Sequence, residues 1–251
     1  MSTEGDSTKK WKPGIYRKYS SIFKARTDSS AYEQFVPYAN YIIHHFLPGD
    51  KSAHIVDLGC GIGGFTRAIA NAGYLNIQGV DISEESIQTA LSQGVQNVVL
   101  GDIFSYLDSI PDATIDAILC IDVLEHFTRE ESVKLLVGIR RVLKPEGRVI
   151  IHVPNAEGIF GSKIRYADFT HEMAYTQKSI AQILHYCRFE RVSCYEDKPL
   201  VHGIISAIRR LLWILLTIPY RVLHAVETGS MDVKLSQNIL AMAFKDPHDF
   251  D

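Results

Sequence analysis

Hydrophobic periodicity changes several times along this chain. Between residues 30 and 46, Tyr32, Phe35, Val36, Ala39, Ile42, Ile43 and Phe46 recur at helical spacing, so one face of a helix is apolar. Pro37 should begin or kink that helix. From residue 54 onward, short apolar runs alternate with helical stretches. Residues 54–58, 77–80, 97–100, 115–121 and 148–153 read as strands, and 115–121 is nearly all apolar, as a strand buried on both faces should be. Gly64–Asn71 reads as a helix ended by Gly73. Ser83 caps the next, with Glu84 and Glu85 in its first turn, and Gly94 ends it. Thr128 and Glu131 have capping-box spacing before a helix through Val142. Residues 144–147 read as a turn, Thr176 as the cap of a helix ending near Cys187, and 189–195 and 238–244 as two last strands. Repeated β-α units predict an α/β fold with a doubly wound, mostly parallel sheet and helices on both faces. Ligands on such sheets bind at the carboxyl ends of the strands, near the switch point of the strand order.

Composition narrows the function little. The 251 residues carry a formal net charge of −3, which weighs against nucleic-acid binding. Cys60, Cys120, Cys187 and Cys194 show no C-x-x-C spacing, so reduced thiols are expected rather than disulfides or a zinc site. The first ten residues are polar, without the apolar stretch of a secretory signal, and a cytoplasmic location is expected.

Candidate chemistry collects at predicted strand ends. Asp57-Leu58-Gly59-Cys60-Gly61-Ile62-Gly63-Gly64 follows a strand and opens a helix. Small residues there allow a sharp turn and close approach of a ligand to the backbone. Gly59, Gly61 and Gly64 also fit a dinucleotide-binding pattern. Asp57, however, suits a ligand ammonium and would repel a pyrophosphate, and no nicotinamide-side signature is present. Asp81, with Ile82 beside it, is suited to accept from ribose hydroxyls. Asp102 could accept from an adenine amino group, with Ile103 against the ring. A lone Asp at a strand end is usually a turn or cap residue, but three in register beside a glycine-rich turn point to a nucleoside site.

Residues 57–63, Asp81, Asp102, the run 116–126 and Leu143-Lys-Pro-Glu-Gly147 together resemble the class I S-adenosylmethionine-dependent methyltransferase family over roughly residues 50–155. The resemblance implies a seven-stranded Rossmann-like sheet whose final strand runs antiparallel between its neighbours. It implies S-adenosyl-L-methionine as cofactor, with Asp57, Gly59, Gly61, Gly63, Asp81, Ile82, Asp102 and Ile103 around it. The chain then divides into a tail and aromatic helical lid (1–48) and a methyltransferase domain (49–251), with an acceptor-loop region at 155–176.

Methyl transfer to oxygen needs a group that takes the acceptor's proton. His126, past the fourth strand, and His171, in the polar and aromatic segment 165–172, are the candidates. His171 is favoured as base, with Asp168 or Glu172 orienting it. The segment Asp168-Phe-Thr-His171 resembles one in relatives of polysaccharide and quinone-type pathways. A metal site of two carboxylates and one histidine is the lesser reading, and no metal is expected. A small-molecule, saccharide or lipid-linked hydroxyl is the expected acceptor. N- or C-methylation, or a degenerate cofactor-binding subunit, are the alternatives.

Residues 199–230 hold an apolar stretch about half the ~20 residues needed to cross a bilayer, bounded by Arg209, Arg210 and Pro219. A membrane-spanning segment is therefore not expected. The segment reads as a buried or homodimer-forming helix, or as an interfacial helix giving peripheral contact at the inner membrane face.

Overall fold

A computed structural model describes residues 12–17, 19–22 and 29–246. Trp11 and Phe23, read as parts of the lid, and the tail 1–10 lie outside the described residues. The chain begins with α1 (Lys12–Arg17), α2 (Tyr19–Ile22) and α3 (Ser29–Phe46). It continues as β1 (His54–Leu58), α4 (Gly64–Asn71), β2 (Asn76–Asp81), α5 (Glu84–Ser92), β3 (Val98–Leu100), α6 (Ile103–Ser109), β4 (Ile115–Ile121), α7 (Arg129–Val142) and β5 (Leu143–Pro154). It closes with α8 (Gly161–Ala167), α9 (Gln177–Tyr186), β6 (Phe189–Glu196), α10 (Ile204–Thr228) and β7 (Asn238–Lys245).

The sheet has seven strands in the order β3-β2-β1-β4-β5-β7-β6. β7 runs antiparallel to both β5 and β6, while the other neighbours are parallel. The order reverses between β1 and β4, so their carboxyl ends flank the crevice. Period-two alternation sends successive β4 residues to opposite layers. Ala117 and Leu119 meet Ile42, Phe46, Phe65 and Ile69 on one face, and Ile118 and Cys120 meet Leu135, Leu136 and Ile139 on the other. Burying such side chains contributes about 1.5–3 kcal/mol each. The apolar stripe of α3 is thus a packing face, with Ala39, Ile42, Ile43 and Phe46 buried against the sheet.

Several local expectations change in the folded chain. Pro37 lies inside α3 rather than at its start. Residues 144–147 form an excursion within β5: Ile115 pairs with Leu143, but Ala117 with Arg148. Glu146 takes φ 64° there. The helix α6 does not register in the sequence pattern, because Phe104, Tyr106 and Leu107 make too short a periodic run. The segment 155–176 contains α8, a short helix whose N-terminal Gly161 packs so closely on the Asn155 carbonyl that a Cβ would lie 1.8 Å from it.

The largest departure is α10. It continues through Pro219 for 25 residues, and among the described residues it alone is long and apolar enough to cross a membrane by length and composition. It is not a buried helix. Its buried or half-buried positions are Ser206, Arg210, Trp213, Thr217, Arg221, His224 and Ala225, while Ile204 is 82% and Leu216 67% exposed. Arg221 donates to both oxygens of Glu196 at 2.8 Å and to the Val233 carbonyl at 2.7 Å. These bonds, with Arg210 on the Pro199 carbonyl at 3.4 Å, fasten a polar face to the domain. The charged anchors compensate the local cost of Pro219, which has no N–H to give the helix.

Candidate active site

The loop after β1 turns back on itself with Gly59, Gly61 and Gly63 all at positive φ. At Gly59 the requirement is also steric: a Cβ would lie 2.4 Å from Val123 Cγ2. This close approach joins the β1 loop to the β4 loop and shapes one cleft. Gly59, Gly61, Asp81, Ile82, Asp102, Ile103 and His126 all line it, and its volume is about 380 Å³. Tyr16 and Tyr19 from the N-terminal helices close one side.

Asp81 faces the cleft from the end of β2. Its Oδ2 accepts the Gly61 N–H and its Oδ1 the Ser83 N–H, each at 2.8 Å. An ionised carboxylate has about four acceptor positions, so both oxygens keep capacity for a ligand diol. Burial raises its pKa, and the two N–H donors oppose that shift. Asp102 is the N-cap of α6, accepting the Ser105 N–H at 3.0 Å, while also lining the cleft. The cap and the cleft-lining position are therefore the same residue.

Asp57 and Gly63 are not on the cleft wall. Asp57 is buried beneath the loop and accepts the Thr66 hydroxyl at 2.8 Å. Burial first, and Asp81 nearby, push its pKa to about 7 against the lowering effect of Thr66. Gly63 is the left-handed N-cap of α4.

His126 ends the short 3-10 turn Leu124–His126 that follows β4. Its Nδ1 lies 2.8 Å from Thr170 Oγ1, and Thr170 Oγ1 lies 2.7 Å from Asp168 Oδ1. Asp168 also accepts the Thr170 N–H at 2.7 Å and, on Oδ2, the Tyr19 hydroxyl at 2.6 Å. Burial works against its charge, but these hydroxyl and N–H donors hold its pKa below the usual carboxylate value. An ionised Asp168 can only accept, and Thr170 has one hydroxyl proton, which goes to Asp168. His126 Nδ1 must therefore donate to Thr170, leaving Nε2 as a bare acceptor.

His171 stands edge-on to His126, with ring centroids 4.7 Å apart. Its Nε2 is 3.9 Å from both Glu125 Oε1 and Asp168 Oδ2, beyond hydrogen-bond range. Glu172, expected to orient it, instead pairs with Lys12 at 2.7 Å. Burial lowers the pKa of both histidines; with His171 beside it, His126 falls to about 4. Ligand atoms of Glu125, His126 and His171 lie within 4.8 Å of one another, and Glu125 Oε2 is buried without a partner.

Sequence reasoning missed an ion chain centred on a buried histidine beside the cleft. His152, on β5, is bonded to Asp122 at 2.6 Å through Nδ1 and to Asp197 at 3.3 Å through Nε2. The signal in the sequence is a polar residue inside an apolar strand. Burial disfavours the imidazolium, yet Asp122 and then Asp197 raise its pKa well above 6.5. The Asp122 carboxyl is correspondingly lowered, His152 outweighing burial. A raised histidine stabilises the fold in full below its unfolded value near 6.5 and loses that contribution as pH rises through the folded value. The lowered Asp122 contributes in full above about 3.8 and less as pH falls through its folded value. We expect His152→Leu to cost about 1–2 kcal/mol, since it leaves the partly exposed Asp197 without its partner while water screens the more exposed Asp122. That corresponds to a melting temperature lower by about 5 °C near pH 6. Thermal unfolding unchanged from the wild type would show that the chain adds no stability.

The residues present suit an adenosine with an amino-acid arm: a glycine cradle, a carboxylate at Asp81 with acceptor capacity left over, and the apolar Ile82 and Ile103 beside Asp102. Comparisons agree. The family described as "Methyltransferase domain" matches residues 56–151. The chain is 25% identical to the putative methyltransferase YqeM of Bacillus subtilis, over 66% of this chain and 67% of that protein. It is 31% identical to ajmaline N-methyltransferase of Rauvolfia serpentina, but over only 41% of this chain and 37% of that one. The chain thus spans about two thirds of the first relative and little more than a third of the second. Among solved structures, a SAM-dependent methyltransferase from Archaeoglobus fulgidus superposes with a TM-score of 0.64 at 21% identity, covering 90% of this chain and 98% of that one. Residues 56–151 thus match a methyltransferase domain, and the strand order with its antiparallel β7 is the fold shared with solved S-adenosylmethionine-dependent methyltransferases.

Proposed function

We propose that the protein methylates a hydroxyl group of a small-molecule, saccharide or lipid-linked acceptor, with His126 taking the proton. The observation that carries this reading is the Asp168–Thr170–His126 hydrogen-bond chain, which supports an imidazole with its unprotonated Nε2 free at the wall of the cleft. Bound there, S-adenosylmethionine supplies a methyl group already activated on sulfur. The residues then have two tasks. Gly59, Gly61, Asp81, Asp102 and Ile103 hold and orient the nucleoside; proximity and alignment alone are worth up to ~7–11 kcal/mol in favourable cases. His126 removes the acceptor proton as the oxygen attacks. His171, behind it, is a positioning residue in this reading, and Asp57 supports the loop from below. Tyr16 and Tyr19 act as the lid of the N-terminal region 1–48, with 155–176 as the acceptor region.

The test is transfer of labelled methyl to a panel of sugars, quinol-like phenols, lipid-linked hydroxyls and amines. Hydroxyl acceptors should be methylated, and only they should depend strongly on His126. Methylation of amines alone, surviving His126→Ala, would assign the enzyme to nitrogen. A second reading rests on the unpartnered Glu125 Oε2: a divalent metal held by Glu125, His126 and His171. Dialysis against EDTA separates the two. Full activity afterwards supports the histidine base, and loss restored by a divalent ion supports the metal.

A further inference from the structure

We propose that α10 lies flat in the surface of an anionic lipid bilayer, with its apolar face inserted among the acyl chains. The helix is inside out for a domain in water. Ser206, Arg210, Trp213, Thr217 and Arg221 recur every three or four residues and face the domain. Its large apolar side chains, among them Ile205, Ile208, Leu212, Leu215 and Leu223, face away, each about half exposed or more. An apolar surface of this length exceeds what monomers in water leave uncovered and marks a binding face.

The helix is long enough to cross a bilayer, at 25 residues or about 37 Å. The anchors rule out that orientation. Arg210 is tied to Pro199 near one end, and Arg221 to Glu196 and Val233 further on. Its flanking strands β6 and β7 are antiparallel neighbours, so the chain leaves and re-enters the domain at one end of the sheet. The helix therefore runs alongside the domain with one face outward, the arrangement of a helix lying in the membrane interface.

Charge selects lipid over a second copy of the chain. His202, Arg209 and Trp213 line a cavity at the root of the helix with Asp197 and Lys198, the last paired with Glu196 at 3.1 Å, and Arg210 lies beside it on the same helix. Neither Arg209 nor Arg210 is matched to an acidic group among the described residues. A two-fold dimer through this face would bring the cationic rim near its own copy, whereas lipid phosphates neutralise it. Phe160, from the acceptor region, lines the same cavity, so the lipid surface would lie on the side from which an acceptor approaches.

Flotation of the full chain with vesicles tests the proposal. Wild type should rise with vesicles of phosphatidylcholine containing a third phosphatidylglycerol, and far less with phosphatidylcholine alone. A variant carrying Ile208→Gln, Leu212→Gln and Leu215→Gln should partition at least ~100-fold less well, given the apolar area removed from the lipid. Unchanged S-adenosylhomocysteine affinity would show that the variant is folded. Arg209→Gln should lose the preference for anionic vesicles while keeping residual binding. Wild type that stays at the bottom with both vesicles overturns the proposal, as does a triple variant that floats equally well. Sedimentation velocity without lipid identifies the rival occupant: a dimer dissolved by the triple variant, with no flotation of wild type, assigns the face to a second copy.

Discussion

Replacing His126 by alanine should lower turnover on a hydroxyl acceptor by ~10²–10⁴-fold, the usual worth of a positioned general base. Affinity for S-adenosylhomocysteine should change far less. The expectation rests on the hydrogen-bond order Asp168, Thr170, His126, in which each proton has one place to go. Thr170→Val removes the acceptor for the Nδ1 proton at nearly constant volume. It should therefore lower turnover while leaving the fold intact, and Thr170→Ser should restore most of it. The pH profile is a second readout. A base must be unprotonated to act, and burial lowers the His126 pKa to about 4. The acid limb of kcat/KM should then fall near pH 4–5, not near the 6.5 of an unperturbed histidine. His126→Ala turning over within about threefold of wild type would remove it as the base. Should His171→Ala alone abolish turnover while His126→Ala does not, the base is His171.

Asp81→Ala should weaken S-adenosylhomocysteine binding by ~10²–10³-fold in calorimetric titration. Two hydrogen bonds to a charged acceptor are each worth about 1.5–3 kcal/mol, and a factor of ten costs 1.4. Part of that gain is offset because the free carboxylate is itself buried and already holds two backbone donors. Those donors give the substitution a second cost, since the Gly61 N–H loses the partner that braces the glycine loop. Asp81→Asn keeps one acceptor oxygen for that brace and should fall between wild type and alanine. Burial raises the Asp81 pKa, so protonation on acidification should also weaken binding, and at higher pH than for an exposed aspartate. Unchanged affinity of Asp81→Ala would refute the ribose assignment.

The candidate site was legible where a motif fixes its own surroundings. The glycine loop, Asp81 and Asp102 follow strand ends that hydrophobic period alone reveals, and they meet because parallel neighbours bring strand ends together. Asp57 shows the limit of that reasoning. It precedes the loop by two residues, as a ligand-facing acid would, yet its side chain turns under the loop to Thr66. The alternation that sets its side is clear, but the packing of α4 beneath it is not. His126 and Asp168 are 42 residues apart, and the threonine between them chemically is Thr170. No spacing rule predicts that triplet, because the loops after β4 and β5 bring it together. His152, Asp122 and Asp197 are a parallel case, a residue of β5 joined to the positions just past β4 and β6.

What the sequence determined by itself was the order of elements, the parallel sheet and the cofactor-binding end of it. These rest on local period, caps and turn residues, which act over a few positions and are written in neighbouring letters. What only the tertiary structure decided was the side to which each chemical group turns. The apolar content of 199–230 announced a helix seeking cover, and composition made a buried helix the natural expectation. Arg221 on Glu196 and Arg210 on Pro199 reversed it. Burying the leucines instead would strand two groups, the Arg221 guanidinium and the 4% exposed Glu196 carboxylate, each without its partner. They therefore set the rotation of α10 and turned its leucines outward.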